Sequence, residues 1–407
     1  MAKKHLVFVS DLGHTGPIWP QILDGLASKN WNVTILSPKL SRAQINFFGL
    51  NYKGRNWELV QTELFHSPYR RFAGYPALVR FPLSKLSYMK QRDRIVKSTF
   101  LEDYEGWEKI ASKELDNLNK KIPIDIIMSS SSPFVTHIIA EEFAKLNHIP
   151  WVADYRDLWS LNHSLQNFDS SKIIFEKNLL KSATLCITTS NGFKENLSRL
   201  YLGPISVVEN GYGKLFPAKP FKKRGSLEIL YPGQIYEKLQ DIRPVLQALD
   251  ELSKLGTMEF TLKVSGYAIL HVKQILNEMN LKNLTWIRYG KVLPLDKSLK
   301  LQRSSDFLLL LNCNNLNISG WMQTKLYEYI SSGVPIIAFG GNGTDESSKL
   351  IESTSAGVII RNKEDLLQYL LRVLEYRNST LLRNDKAIVQ LSRFNQGIIL
   401  AGYLKKI

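Results

Sequence analysis

Four stretches of this sequence combine residue types and spacings that could do chemistry. In "GWMQTKLYEYISSGVPIIAFGG", from Gly320 to Gly341, Lys325 and Glu328 stand three residues apart. They therefore share one face of a helix. A glycine loop running into a helix N-terminus offers backbone amides to an anion. Lys325 adds a charge there, and Glu328 can accept from hydroxyl groups. The same spacing also suits a solvated ion pair that contributes under ~1 kcal/mol. "IPWVADYRDLWS" carries Asp154, Arg156 and Asp157 at the end of an apolar run. Three charges at the end of a buried strand must pair with one another or serve a site. "FVSDLGHTGPIW" has Gly13 and Gly16 between a strand and a helix, and "YPGQIYEKLQD" has Gly233 followed by Lys238. Each glycine allows close backbone approach to a ligand, or simply makes a turn.

The elements that must position these residues follow from the alternation of apolar runs with helix-like segments. This order predicts parallel sheets covered by helices. Strands are expected at 5–10, 32–37, 125–131, 151–157, 183–190 and 205–211. Six more are expected at 228–233, 259–266, 284–290, 306–312, 335–340 and 357–361. Between the two sets, "GYGKLFPAKPFKKRGS" (211–226) has Gly, Pro and basic residues without periodicity, and reads as a linker. The expected organisation is α/β: two Rossmann-like parallel-sheet domains facing each other across a cleft. The first covers 1–212 and the second 213–390, and a C-terminal helix at 391–407 returns to the first domain. In such sheets ligands bind beyond the carboxyl ends of the strands, which is where all four stretches fall.

Residues 41 to about 122 contain no confident strand and read as an insertion. Within it, Tyr69 to Lys97 carries eight Lys/Arg against one acid, Asp93, together with Tyr69, Phe72, Tyr75, Phe81 and Tyr88. Clustered cations and interfacial aromatics suit an anionic membrane surface or a lipid-linked acceptor; a solvated helical arm is the plainer reading. Vesicle flotation separates the two. Changing Arg70, Arg71, Lys90, Arg92 and Arg94 to Ser is expected to abolish binding to anionic vesicles, and persistent binding would remove this arm as the contact.

The bulk composition narrows the function classes. The chain has 407 residues, 44% apolar and 22% charged, as a globular protein should. No apolar run approaches the ~18 residues of a membrane span, and the N-terminus turns polar after one strand-length run, unlike a signal peptide. Cys186 and Cys313 are the only cysteines, so a disulfide framework is not expected and a cytoplasmic setting fits. The net charge of +16 is shared by both halves, leaving nucleic acid, an anionic membrane or a phosphorylated substrate as candidate partners. No short motif of the common nucleic-acid modules is present. The seven histidines form no metal pair at helical spacing, and no metal is expected. The full dinucleotide fingerprint is also absent, because its third glycine and the acidic residue ending the second strand are missing.

Taken in order, the Gly13/Gly16 loop, "ITTSNGFKENL…VVENGYG", "YPGQIYEKLQD" and "GWMQTKLYEYISSGVPIIAFG" resemble the GT-B-fold retaining glycosyltransferases. This is the "group 1" family of bacterial polysaccharide and glycolipid enzymes, and the likeness spans nearly the whole chain. It implies a nucleoside-diphosphate-sugar donor, UDP-linked for preference and GDP-linked otherwise, and a carbohydrate or lipid-linked acceptor. It further implies transfer with retention and no metal or other cofactor, in the cytoplasm or at the inner face of a membrane. In the family a carboxylate at the position of Glu328 binds the donor ribose, and the amides and lysine at Thr324, Lys325 and Leu326 hold the diphosphate. The first family glutamate falls on Gly320, which leaves the sugar to backbone amides of Trp321, Met322 and Gln323. Gln234 and Gln240 stand where many members have Arg and Lys, with Lys238 able to compensate. The family histidine has no counterpart in "ADYRD", where Asp154, Arg156 or Asp157 would replace it. Two other readings remain: a nucleotide-sugar epimerase of the same fold, and a non-catalytic nucleotide-sugar-binding protein.

Overall fold

The computed structural model describes residues 3–50, 52, 54–63, 104, 106–162, 170–220, 226–257, 259–281, 284–315, 318–373 and 383–407. The basic and aromatic segment 69–97 lies outside the described residues. The chain divides into two compact units, Met1–Asn210 with Arg393–Ile407, and Gly211–Ser392.

The first unit is built on a seven-stranded parallel sheet in the order β3-β2-β1-β4-β5-β6-β7. Its strands are β1 (Lys4–Val9), β2 (Trp31–Pro38), β3 (Glu58–Thr62), β4 (Ile126–Ser131), β5 (Trp151–Tyr155), β6 (Leu185–Thr188) and β7 (Ile205–Val207). The second has a six-stranded parallel sheet in the order β10-β9-β8-β11-β12-β13. Its strands are β8 (Leu227–Pro232), β9 (Phe260–Ser265), β10 (Ile287–Gly290), β11 (Phe307–Leu311), β12 (Ile336–Phe339) and β13 (Gly357–Ile360). Parallel strands need crossover helices on both faces, so inner strands are buried on both sides. The run "FLLLL" of β11 is buried at every position. In each unit the strand order reverses beside the first strand, between β1 and β4 and between β8 and β11. Such reversal leaves a crevice at the carboxyl ends.

Two sequence expectations change. The stretch 41–122 does contain a strand: β3 pairs in parallel with β2, from Thr34 opposite Glu58 to Pro38 opposite Thr62. It escaped notice because "ELVQT" is an edge strand whose side chains, apart from Thr62, keep contact with solvent, so it lacks the buried apolar run of an inner strand. Residues 211–220, read as part of a linker, belong to the second unit. Phe216 N–H donates to Ser331 O at 2.9 Å and Lys219 N–H to Gly333 O at 2.7 Å. A side chain at Gly333 would run into Pro217 O, so glycine there is what lets this segment lie against the helix end.

The C-terminal helix Arg393–Leu404 packs on helix Ile18–Ala27 in the first unit. Gly25 and Gly397 make that contact possible. A Cβ on either would strike a backbone carbonyl of the other helix. Gln396 Oε1 also accepts from Glu209 N–H at 2.9 Å. Among the described residues no helix is long and apolar enough to cross a membrane. Both cysteines are free thiols.

Candidate functional site

The second unit gathers most of the candidate residues at the β8/β11 reversal. Helix Thr324–Ser332 starts after the loop that leaves β11. Lys325 is in its first turn and Glu328 in its second. Both side chains are half-buried, on the flank between inward-facing Leu326, Tyr327, Tyr329 and Ile330. The residue before the helix, Gln323, does not cap it with its side chain. The carboxamide is turned instead to Leu311 O at the end of β11, with Nε2 at 2.8 Å. A helix N-terminus with no side-chain cap keeps its first amides available for an anion.

Lys325 is not the freely solvated charge that its spacing alone permits. Its Nζ donates to Tyr231 Oη at 3.2 Å and lies 4.2 Å from the centroid of that ring. Tyr231 is on β8 and fully buried. The contact therefore joins β8 to the helix that follows β11. Dense surroundings press on the ammonium even though the residue keeps some solvent contact, and burial pushes its pKa down to about 7.

The loop after β8 is fixed to the same place. Gly233 turns at φ 113°, a conformation that favours glycine. Gln240, in the position where the resemblance anticipates a lysine, is buried and structural. Its Nε2 donates to Leu311 O at 2.6 Å and to Gln323 Oε1 at 3.2 Å, and its Oε1 accepts from Tyr236 N–H at 3.0 Å. Asn314 N–H adds a bond to Leu239 O at 2.8 Å. A lysine at 240 would bring a charge into this buried network. Gln234 and Lys238 are exposed. Gly320 adopts φ 81°. Trp321, half-buried, meets Tyr236 edge-on at 5.4 Å between ring centroids. Met322 Sδ accepts from Ser347 Oγ at 3.4 Å, and Thr324 opens the helix.

The remaining candidates lie in the first unit. Asp154 and Arg156 bind each other: Nε to Oδ2 is 3.0 Å, and Nη2 to Oδ1 is 2.9 Å. Ser130 Oγ donates to Asp154 Oδ2 at 2.6 Å. Arg156 Nη1 donates to Val208 O at 2.9 Å, and its guanidinium lies 4.6 Å from the Trp19 ring centroid. Burial pushes the Asp154 carboxyl up, against the pull of Arg156 and Ser130. This pair ties β5 to the segment after β7, which is the internal-bridge reading of "ADYRD". Asp157 differs, since its side chain reaches solvent. The protein around it still pushes its carboxyl up, and the charges of His14 and Arg156 oppose that shift.

Gly13 lies in the short helix Leu12–Thr15, and Gly16 follows its end. Asp11 caps it, with Oδ1 accepting from Gly13 N–H at 2.8 Å and Oδ2 from Tyr104 Oη. A Cβ at Gly13 would crowd the side chains of Gln44, Asp11 and Leu40. His14, next to Gly13 and considered in sequence only as a metal ligand, acts with Arg156 against the rise of the Asp157 pKa. Tyr231 was also missed. A tyrosine in an apolar strand carries no local signal, because its partner is remote in sequence. Among the described residues no three His, Cys, Asp or Glu side chains cluster as a metal would require.

No family model matches the chain, and no curated protein matches its sequence. Solved structures do align along its length. The lipopolysaccharide outer core galactosyltransferase WaaB, in its apo form, aligns with a TM-score of 0.58 at 12% identity, over 98% of this chain and 99% of its own. The N-terminal domain of Candida albicans trehalose-6-phosphate phosphatase aligns with a TM-score of 0.55 at 9% identity, over 99% and 96%. At these identities the likeness is one of fold, and this chain has the GT-B fold, with a parallel α/β sheet in each of its two domains.

Proposed function

We propose that this protein is a glycosyltransferase that moves a sugar from a nucleoside-diphosphate donor to an acceptor hydroxyl. One observation carries the reading. An uncapped helix N-terminus, Lys325 and Glu328 meet at the β8/β11 reversal, where an α/β sheet binds its ligand. The helix amides and Lys325 would hold the diphosphate and stabilise the charge it gains as the glycosidic bond breaks. Glu328 would take the ribose hydroxyls, and Trp321, Met322 and Gln323 would line the sugar. Exposed Lys238 would add charge from the loop after β8. The acceptor is assigned to the unit that carries Asp157. Retention, a UDP-linked donor and a role in cell-surface polysaccharide or glycolipid synthesis are the finer parts of this proposal.

Incubation with a panel of nucleotide sugars, read by mass spectrometry, tests it. Acceptor-dependent transfer is expected, unaffected by EDTA, with the anomeric coupling of the donor kept in the product. Isomerisation of the donor without an acceptor would identify an epimerase, and binding without turnover a non-catalytic protein. Loss of transfer in EDTA, restored by Mg²⁺ or Mn²⁺, would overturn the metal-free part.

Lys325 gives the site a pH signature. With its pKa near 7 in the free protein, the ammonium loses its proton as pH rises from neutral. A bound diphosphate favours the charged form, so the complex keeps that proton to higher pH. Donor affinity should therefore fall as pH rises above about 7, by up to about tenfold per pH unit. Calorimetry with the intact nucleotide sugar reads this directly. Lys325→Met should bind weakly with a flat profile, and a flat profile in the wild type would separate Lys325 from the phosphates.

A further inference from the structure

We propose that Tyr231 is a positioning residue for Lys325, holding its ammonium at the carboxyl end of β8 where the donor diphosphate would lie. The inference rests on the functional reading above and extends it to a residue in the strand behind the site. A strand packed in an apolar core does not need a hydroxyl, and phenylalanine would fill nearly the same volume. Tyr231 is fully buried, yet its hydroxyl is used twice. It donates to Gln234 O at 2.8 Å, which commits the proton, and the oxygen accepts from Lys325 Nζ at 3.2 Å. Burial keeps the phenol un-ionised by raising its pKa. The ring itself lies 4.2 Å from the same ammonium, an arrangement in which the π face attracts the cation.

The Gln234 carbonyl that orients the hydroxyl is itself constrained. It follows Gly233, whose N–H donates to Ser265 O at 2.8 Å and whose carbonyl accepts from Ala268 N–H at 2.9 Å. Gly266 lies so close that a Cβ there would stand 3.0 Å from Gly233 O. Backbone on two adjacent strands thus aims one hydroxyl, and that hydroxyl with its ring fixes the end of a flexible four-carbon chain. An ammonium has three N–H donors. One is directed to Tyr231, and the others remain for phosphate oxygens, with less side-chain freedom to lose on binding.

A double-mutant cycle tests this, with UDP and GDP as probes and calorimetry as the readout. The chains compared are the wild type, Tyr231→Phe, Lys325→Met and the double variant, each with its melting temperature. Tyr231→Phe keeps the ring and removes only the oxygen. It is expected to weaken binding about tenfold when Lys325 is present and by less than about twofold when residue 325 is Met. An equal loss in both backgrounds would mean that the hydroxyl serves only the Gln234 loop, and would overturn the inference. So would wild-type affinity in Tyr231→Phe alongside weak binding by Lys325→Met, which leaves the functional reading standing. Wild-type affinity in Lys325→Met, or no binding of either nucleotide to the wild type, would remove the diphosphate site and this inference together.

Discussion

Replacing Glu328 with glutamine is expected to lower kcat/KM by about 10²–10³-fold while leaving the fold nearly untouched. The side chain keeps its shape but loses its charge and one acceptor. A carboxylate accepts from both hydroxyls of a ribose at once, and charge-assisted hydrogen bonds contribute roughly 1.5–3 kcal/mol each. Glutamine can accept through one oxygen only and presents N–H groups where the other acceptor stood. A cost of about 2–4 kcal/mol in transition-state binding follows. Glutamine keeps the side chain's shape at a half-buried position outside the inward face of helix Thr324–Ser332, so the loss of stability should be smaller than the loss of activity. Lys325 directs one N–H to the Tyr231 hydroxyl and lies over that ring. Steady-state kinetics and a thermal melt on one preparation decide the matter. A wild-type kcat/KM would return Glu328 to an ordinary surface role. A low kcat/KM with a melting temperature lowered by many degrees would instead make it structural.

The parts legible in the sequence are those whose signal is local. The inner strands announce themselves because a parallel sheet covered on both faces demands unbroken apolar runs, as in "FLLLL". The Lys325–Glu328 spacing is legible because helical geometry converts it directly into a shared face. What the sequence hides is pairing at a distance. Nothing near Lys325 indicates that its ammonium rests on Tyr231, 94 positions earlier. Gln240 looks like a departure from the family pattern until its bonds to Leu311 O and Gln323 appear, and then it is the residue that joins two loops. β3 was hidden for another reason. An edge strand half in water has no apolar run to betray it, and its hydrogen bonds to β2 have no sequence signature. The ambiguity of "ADYRD" has the same root, because the Arg156 partner that favours a structural role, Val208 O, lies 52 residues away.

Asp154→Asn should cost about 3–5 kcal/mol of stability, a larger effect on folding than on any chemistry. Asp154 is wholly buried, and both of its oxygens face the Arg156 guanidinium. The substitution removes the charge and leaves Arg156 buried without its counter-ion. Breaking such a pair from one side is far more damaging than the pair's net contribution suggests, because the surviving charge has been taken out of water. The Val208 carbonyl and the Trp19 ring remain to Arg156, but both are neutral. For a unit of this size each kcal/mol lowers the melting temperature by about 2–4 °C, so a fall on the order of 10 °C is expected in calorimetry of the intact chain. Asp157→Asn supplies the contrast. Asp157 reaches solvent and is not needed to neutralise Arg156, so its loss should move the melting temperature by no more than about 2 °C. If Asp157 serves the acceptor, the same change lowers kcat/KM in a protein that is fully folded. The opposite pattern, with Asp154→Asn folded as well as the wild type yet inactive, would show that the buried pair belongs to the chemistry and that the bridge is incidental.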